Sequence, residues 1–182
     1  MKKTITVGLC VLLVFVIFSS GCLDFGGGEQ KEESQNPTWV SGGLKGKYYD
    51  SMDFTNFKFT QVDSTINFNW GSGMPTGLTD GNYFSIVWEG RIKIDSDGDY
   101  TFYTKTDDGD RLWIDGDLII DEWSDEVWGQ SHSKTIYLSA GFHTITMNYY
   151  EKEGNAYVEL SWSSSSFTKQ IIPSSHLYYF SS

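Results

Sequence analysis

The sequence predicts an all-β fold, an antiparallel β-sandwich or barrel-like arrangement, and three observations carry that prediction. Of 182 residues, 7 are Trp, 11 Tyr and 12 Phe, against 19 Gly and only 3 Pro. Aromatic side chains suit a pleated, half-buried surface, and glycine suits tight turns. Apolar and polar residues alternate in short runs bounded by Gly, Asp, Asn and Ser, which is the two-residue period of strands with one face buried. No long segment carries the period of an amphipathic helix.

Residues 1–21 read as a targeting signal. Lys2 and Lys3 precede an apolar run over residues 7–18, and Ser19, Ser20 and Gly21 lead into Cys22, a pattern similar to a lipoprotein signal peptide. Residues 22–41 then comprise a lipidated Cys22 and a flexible tether, because Gly, Glu, Gln and Ser recur there without an apolar period. The expected location is the extracellular face of the cell membrane, held by the lipid at Cys22. An uncleaved N-terminal signal anchor is the alternative, since the apolar run is near the short limit for spanning a bilayer. Cys10 lies inside the apolar run, so residues 23–182 contain no cysteine for a disulfide or a thiolate metal site. The formal charge is −11 and moves to −13 once Lys2 and Lys3 are removed. Such an acidic chain is a poor partner for nucleic acid and a reasonable one for cations.

The folded domain is expected over residues 42–182. Residues 44–49, 57–62 and 66–70 read as short strands, and the last ends in the turn-rich stretch 71–82. Residues 84–94 form a stronger strand, with Ile86, Trp88, Gly90, Ile92 and Ile94 on one face and Glu89, Arg91 and Lys93 on the other. Asp95-Ser96-Asp97-Gly98-Asp99 invites a helix-loop-helix calcium reading, which fails because its sixth and twelfth positions are Tyr100 and Thr106 rather than Gly and Glu. A hairpin turn between Ile94 and Tyr100 is expected instead.

The stretch 100–123 organises the rest. It alternates, breaks at Asp107-Asp108-Gly109-Asp110, resumes, and turns again at Asp115-Gly116, which predicts strand, acidic loop, strand, tight turn and strand. Adjacent carboxylates repel unless a cation or hydrogen-bond donors neutralise them, and hard oxygen ligands are what calcium prefers. On spacing alone, a solvated turn is the competing reading.

Glu89-Gly90-Arg91-Ile92, Gly98-Asp99-Tyr100-Thr101-Phe102, Asp107-Asp108-Gly109, Arg111-Leu112-Trp113-Ile114-Asp115-Gly116 and Trp123 follow one another in an order that resembles the PA14 domain family, the module named after protective antigen. The opening Gly46-Lys47-Tyr48-Tyr49 and the later Ala140-Gly141-Phe142-His143, Tyr149-Tyr150-Glu151 and Leu160-Ser161-Trp162 extend the resemblance to residues 42–180. It implies antiparallel strands in a sandwich or barrel-like fold. In lectin members an Asp-Asp pair joined by a cis peptide holds calcium, and the ion is shared with sugar hydroxyls. Asp107 and Asp108 match that pair, and Glu151 and Asn155 match the second loop that completes the metal shell. The implied function is calcium-dependent binding of cell-surface or envelope glycans, with Asp107, Asp108 and Glu151 at the sugar and Trp128 as an aromatic contact. The alternative is a surface scaffolding or protein-interaction domain whose acidic loop is structural.

Catalysis is not expected. Glycoside hydrolysis places two carboxyls across a cleft, whereas Asp107 and Asp108 are adjacent in one loop. His132, His143 and His176 are scattered, and no nucleophile elbow or phosphate-binding glycine loop occurs. His143 reads as structural, and Trp113, Trp123 and Trp162 as core or near-core aromatics.

Overall fold

A computed structural model describes residues 37–125 and 130–181. These form thirteen strands: β1 Thr38–Ser41, β2 Leu44–Tyr49, β3 Phe57–Asp63, β4 Asn67–Gly71, β5 Phe84–Ile94, β6 Gly98–Asp107, β7 Asp110–Ile114, β8 Asp117–Glu122, β9 Ser131–Leu138, β10 Gly141–Glu151, β11 Ala156–Ser164, β12 Phe167–Ile171 and β13 Leu177–Ser181. A single 3-10 turn, Ser174–His176, precedes β13. The all-β antiparallel fold is as the composition and alternation predict. One difference lies at the start: β1 falls in the stretch expected to be tether, so the ordered sheet takes in Thr38–Ser41.

The strands build two sheets. In the larger, β5 is the spine. β10 pairs along one edge from Gly141↔Ile94 to Glu151↔Phe84, while β2 and β13 divide the other edge and carry β3 and β1 outward. β7 and β8 follow beyond β10. In the smaller sheet β11 plays the same part, with β6 on one edge, β4 and β12 dividing the other, and β9 beyond β6.

Their facing sides make the core, and aromatic side chains bridge it. Phe68 on β4 stacks over Trp88 on β5 at 6.1 Å, and Trp70 meets Phe84 edge-on at 5.8 Å. Trp88, Trp162, Tyr48, Tyr149, Phe84 and Phe102 are essentially inaccessible. Each such side chain contributes about 1.5–3 kcal/mol through burial. The alternation read for residues 84–94 holds, with Ile86, Trp88, Ile92 and Ile94 buried and Glu89 exposed.

Two turns show how local chemistry and global topology part company. Asp115 and Gly116 have φ of 52° and 86°, the left-handed pair that a two-residue hairpin turn requires, and β7 and β8 pair across it as expected. The Asp95–Asp99 stretch, in contrast, is not a hairpin: β5 belongs to the larger sheet and β6 to the smaller, so the chain crosses the sandwich there. Asp95 is occupied by Lys93 and His176. His143 is held between the Asp115 carboxylate and the Ser139 carbonyl, a structural role as expected. Trp162 is buried, but Trp113 and Trp123 are only half-buried; Trp113 shares its side of β7 with Arg111, opposite Leu112.

In chain order the described strands change sheet eight times, and two of these crossovers lie side by side. β6 of the smaller sheet passes through Asp108-Gly109 into β7 of the larger; β10 of the larger passes through residues 152–155 into β11 of the smaller. Because β10 pairs with β7 (Tyr149↔Asp110) and β11 with β6 (Tyr157↔Asp107), the two crossovers are neighbours at one end of the sandwich.

Candidate metal centre

The crossovers bring three acids together. Asp107 closes β6, Asp108 follows it through a cis peptide, and Glu151 closes β10. All three are buried, and one ligating oxygen from each lies within 4.8 Å of the others. Two hydrogen bonds tie these crossovers together. The Tyr150 N–H donates to the Gly109 carbonyl at 3.0 Å, and the Lys152 N–H donates to Asp108 Oδ2 at 2.8 Å. Tyr149, on the core side of β10, donates its hydroxyl to the Asp107 carbonyl at 2.6 Å and lies 3.3 Å from Glu151 Oε2.

Gly109 is required for packing. A Cβ there would stand 2.4 Å from the Tyr150 ring and 3.0 Å from the Glu122 carbonyl. Tyr150 cannot easily yield, because its hydroxyl is bonded to Asp125 at 2.9 Å and its ring packs on Trp123 with centroids 4.6 Å apart. Gly109→Ala is therefore expected to cost about 1–3 kcal/mol, the usual range for overpacking, and to weaken any ion held by Asp108. Thermal unfolding alongside a calcium titration checks both; a variant with unchanged melting and unchanged titration contradicts this packing role.

Electrostatics mark the cluster as incomplete on its own. Burial, followed by repulsion from Asp108 and Asp107, pushes the Glu151 carboxyl up to about 8 despite the Tyr149 hydroxyl. Burial and then Asp108 push Asp107 up to about 6. Glu151 Oε1 is buried and accepts no hydrogen bond. A buried carboxylate oxygen without a donor is costly, and a divalent cation removes that cost.

The donor set fits calcium. It is all oxygen, with neither sulfur nor imidazole, which favours a hard cation over zinc or copper. Two oxygens each 2.3–2.6 Å from one calcium are at most about 5 Å apart, and 4.8 Å falls inside that limit. Asp107, Asp108 and Glu151, expected to act together, are thus brought together. Asn155 lies exposed at the end of the crossover from β10 to β11. Trp128 and Cys22 lie outside the described residues.

The sequence reading passed over two neighbours. Tyr149 and Tyr150 served there only as landmarks of order, yet Tyr149 buttresses both carboxylate loops and Tyr150 packs against Gly109. A fourth acid, Asp110, is fully buried as well. Burial pushes it up to about 6 against a hydrogen bond from Thr106 at 2.8 Å, and its Oδ2 has no partner.

With this geometry in hand, the comparisons with known proteins fall into place. The PA14 domain model matches residues 40–176. The chain is similar to the anti-sigma-I factor RsgI3 of Acetivibrio thermocellus, 46% identical over 137 residues that make up 75% of this chain and 21% of that protein. The chain therefore spans about a fifth of the length of that curated relative. Among solved structures, an anti-sigma factor domain-containing protein is 44% identical with a TM-score of 0.74, covering 77% of this chain and 49% of that one. The PA14 sugar-binding domain from an RTX adhesin superposes with a TM-score of 0.63 over 77% of this chain and 99% of that one; at 15% identity the likeness is one of fold. By the family match over residues 40–176, this chain belongs to the PA14 domain family.

Proposed function

We propose that the domain is a non-catalytic, calcium-dependent carbohydrate-binding module displayed on the outer face of the cell membrane through a lipid at Cys22. The observation that carries this reading is the buried triad Asp107, Asp108 and Glu151, with oxygens within 4.8 Å and one of them lacking any donor. Calcium takes six to eight oxygens. Three carboxylates, with Asn155 or carbonyls of its loop, leave positions for water or for two hydroxyls of a sugar. The fold is shared with a domain named as sugar-binding, which makes that ligand class reasonable for the open positions. One such site buries little apolar area, so binding is modest per copy and gains strength from many anchored copies.

Hydrolysis fits the same triad poorly. A retaining glycosidase sets its two carboxyls about 5–5.5 Å apart on either side of the scissile bond and an inverting one further, whereas Asp107 and Asp108 are adjacent in one loop and converge with Glu151 to within 4.8 Å.

Calorimetric titration of calcium into the chelator-treated protein, followed by a glycan array with and without the ion, tests the reading. Stoichiometric binding that disappears in Asp107→Ala, together with glycan binding only in calcium, is the expected result. Absence of heat, with no change in melting temperature, would leave the acidic loop as structure and the domain as a protein-interaction module. Incorporation of labelled lipid that is lost in Cys22→Ser checks the anchor.

A further inference from the structure

The outer face of the larger sheet carries a groove that the carboxylate triad does not use. Outward positions on β10 alternate as Thr144, Thr146, Asn148 and Tyr150. The first three line a cavity of about 440 Å³ with Trp113 and Glu89. Tyr150 lines a second, of about 380 Å³, with Phe54, Arg111 and Trp123. Strand register joins them: Thr146 is opposite both Trp113 and Glu89, and Asn148 is opposite both Arg111 and Val87, so Asn148 of the first cavity neighbours Arg111 of the second. At about 3.3 Å per residue, the track from Thr144 to Tyr150 is roughly 20 Å long.

Its chemistry narrows the occupant. The Trp113 indole supplies a flat apolar face; threonine hydroxyls and a carboxamide supply donors and acceptors beside it. A peptide adding as a strand needs an unpaired edge, but β10 is paired on both sides. Nucleic acid needs clustered cations. The Arg111 guanidinium is already bonded to Asp121 at 2.6 Å and stacked on Trp123 at 4.7 Å, and Glu89 and Asp125 add negative charge. These charges favour a neutral chain over an anionic one. Repeated rings with apolar faces and equatorial hydroxyls match such a lining.

We propose that this groove is a second carbohydrate surface, which takes a segment of neutral polysaccharide along β10 with Trp113 as its stacking platform. Thr144, Thr146 and Asn148 hydrogen-bond the chain alongside it. None of Asp107, Asp108 and Glu151 lines either cavity, so this surface works without the ion and shares with the function proposed above only the class of ligand.

Affinity electrophoresis of the full chain in detergent tests it, through gels containing a mixed-linkage glucan, an arabinoxylan or a galactomannan, with polygalacturonate as the charged comparison, all in EDTA. The expected result is retardation by at least one neutral polysaccharide, unchanged in Asp107→Ala, and weakened about tenfold in Trp113→Ala and in Asn148→Ala, roughly the loss of one good contact. Should Trp113→Ala fail to fold, Thr146→Arg fills the groove from β10 and carries the same expectation. Retardation by no neutral polysaccharide, by polygalacturonate alone, or undiminished in folded groove variants overturns the proposal. Retardation that appears only when calcium replaces EDTA in a parallel set of gels, is lost in Asp107→Ala and ignores the groove variants also overturns it, and leaves the calcium site standing.

Discussion

In chelator, the protein is expected to lose stability as the pH rises from about 6 to about 8.5, and Glu151→Gln is expected to remove most of that loss. The sign follows from the direction of the shift. Glu151 titrates near 4.5 when unfolded and is pushed up to about 8 in the fold, so the folded state keeps a proton that the unfolded state has released. Stability from this group is complete below the unfolded value and is lost as the pH climbs through the folded one. At about 1.4 kcal/mol per pH unit the two units between pH 6 and the folded value amount to at most about 3 kcal/mol. Mutual coupling among the three acids and relaxation of their loops reduce it to about 2, or roughly 6 °C in melting temperature. Asp107 and Asp110 act in the same direction but are pushed only to about 6, so their effects are largely complete before this window. His143 leaves a residual slope in both proteins: burial opposes its charge, but Asp115 and the Ser139 carbonyl raise its pKa overall. Saturating calcium, which keeps the carboxylates ionised, is expected to abolish the decline in wild type and to do nothing for Glu151→Gln. Equal slopes in wild type and variant would show that the triad is not their source.

Asp63→Ala is expected to be the most damaging single change away from the carboxylate triad. Asp63 ends β3 and is almost completely buried. Its Oδ2 accepts from the Tyr48 hydroxyl and from Trp88 Nε1, each at 2.7 Å, and its Oδ1 accepts from the Gln61 amide at 2.7 Å. Gly46 leaves the space, since a Cβ there would meet Asp63 Oδ2 at 2.6 Å and Trp88 Nε1 at 3.0 Å. Removing the carboxylate orphans two buried donors at about 1–3 kcal/mol each. A total near 4 kcal/mol corresponds to a fall of roughly 12 °C in melting temperature, with calcium binding by the remaining folded protein unchanged. Asp63→Asn, which keeps one acceptor oxygen, should fall by a third of that or less. Melting of the alanine variant within 2 °C of wild type, measured by differential scanning calorimetry, would contradict this account.

What could be read in advance depended on whether the signal was local. The alternation Ile86, Trp88, Ile92, Ile94 and the left-handed turn at Asp115-Gly116 are properties of a few consecutive residues, and both appear as expected. The partnership of Asp108 with Glu151 is not local: 43 positions separate them, and only resemblance to a family, not spacing, brought them together. The crossing from β5 to β6 was misread because Asp-Gly turn chemistry is the same whether the next strand pairs alongside or folds over the core. Trp113 was placed at the core or near it by its position in the family pattern; the two-residue period groups it with Arg111 and opposite Leu112, and it is half-buried. β1 carried no signal, because a four-residue, largely exposed edge strand is specified by pairing with β13 rather than by its own pattern.

That pairing has a mechanical consequence. Thr38 lies opposite Ser181, and the register runs inward to Ser41↔Tyr178, so the first described strand begins beside the point where the last one ends. Tension applied between those ends would peel the pair apart rung by rung instead of sliding one strand along the other. A domain pulled that way yields gradually and at low force, whereas one loaded through β5 and β10, paired over eleven rungs, must break many bonds at once. The direction of pull, more than the depth of the core, decides how long such a module holds on.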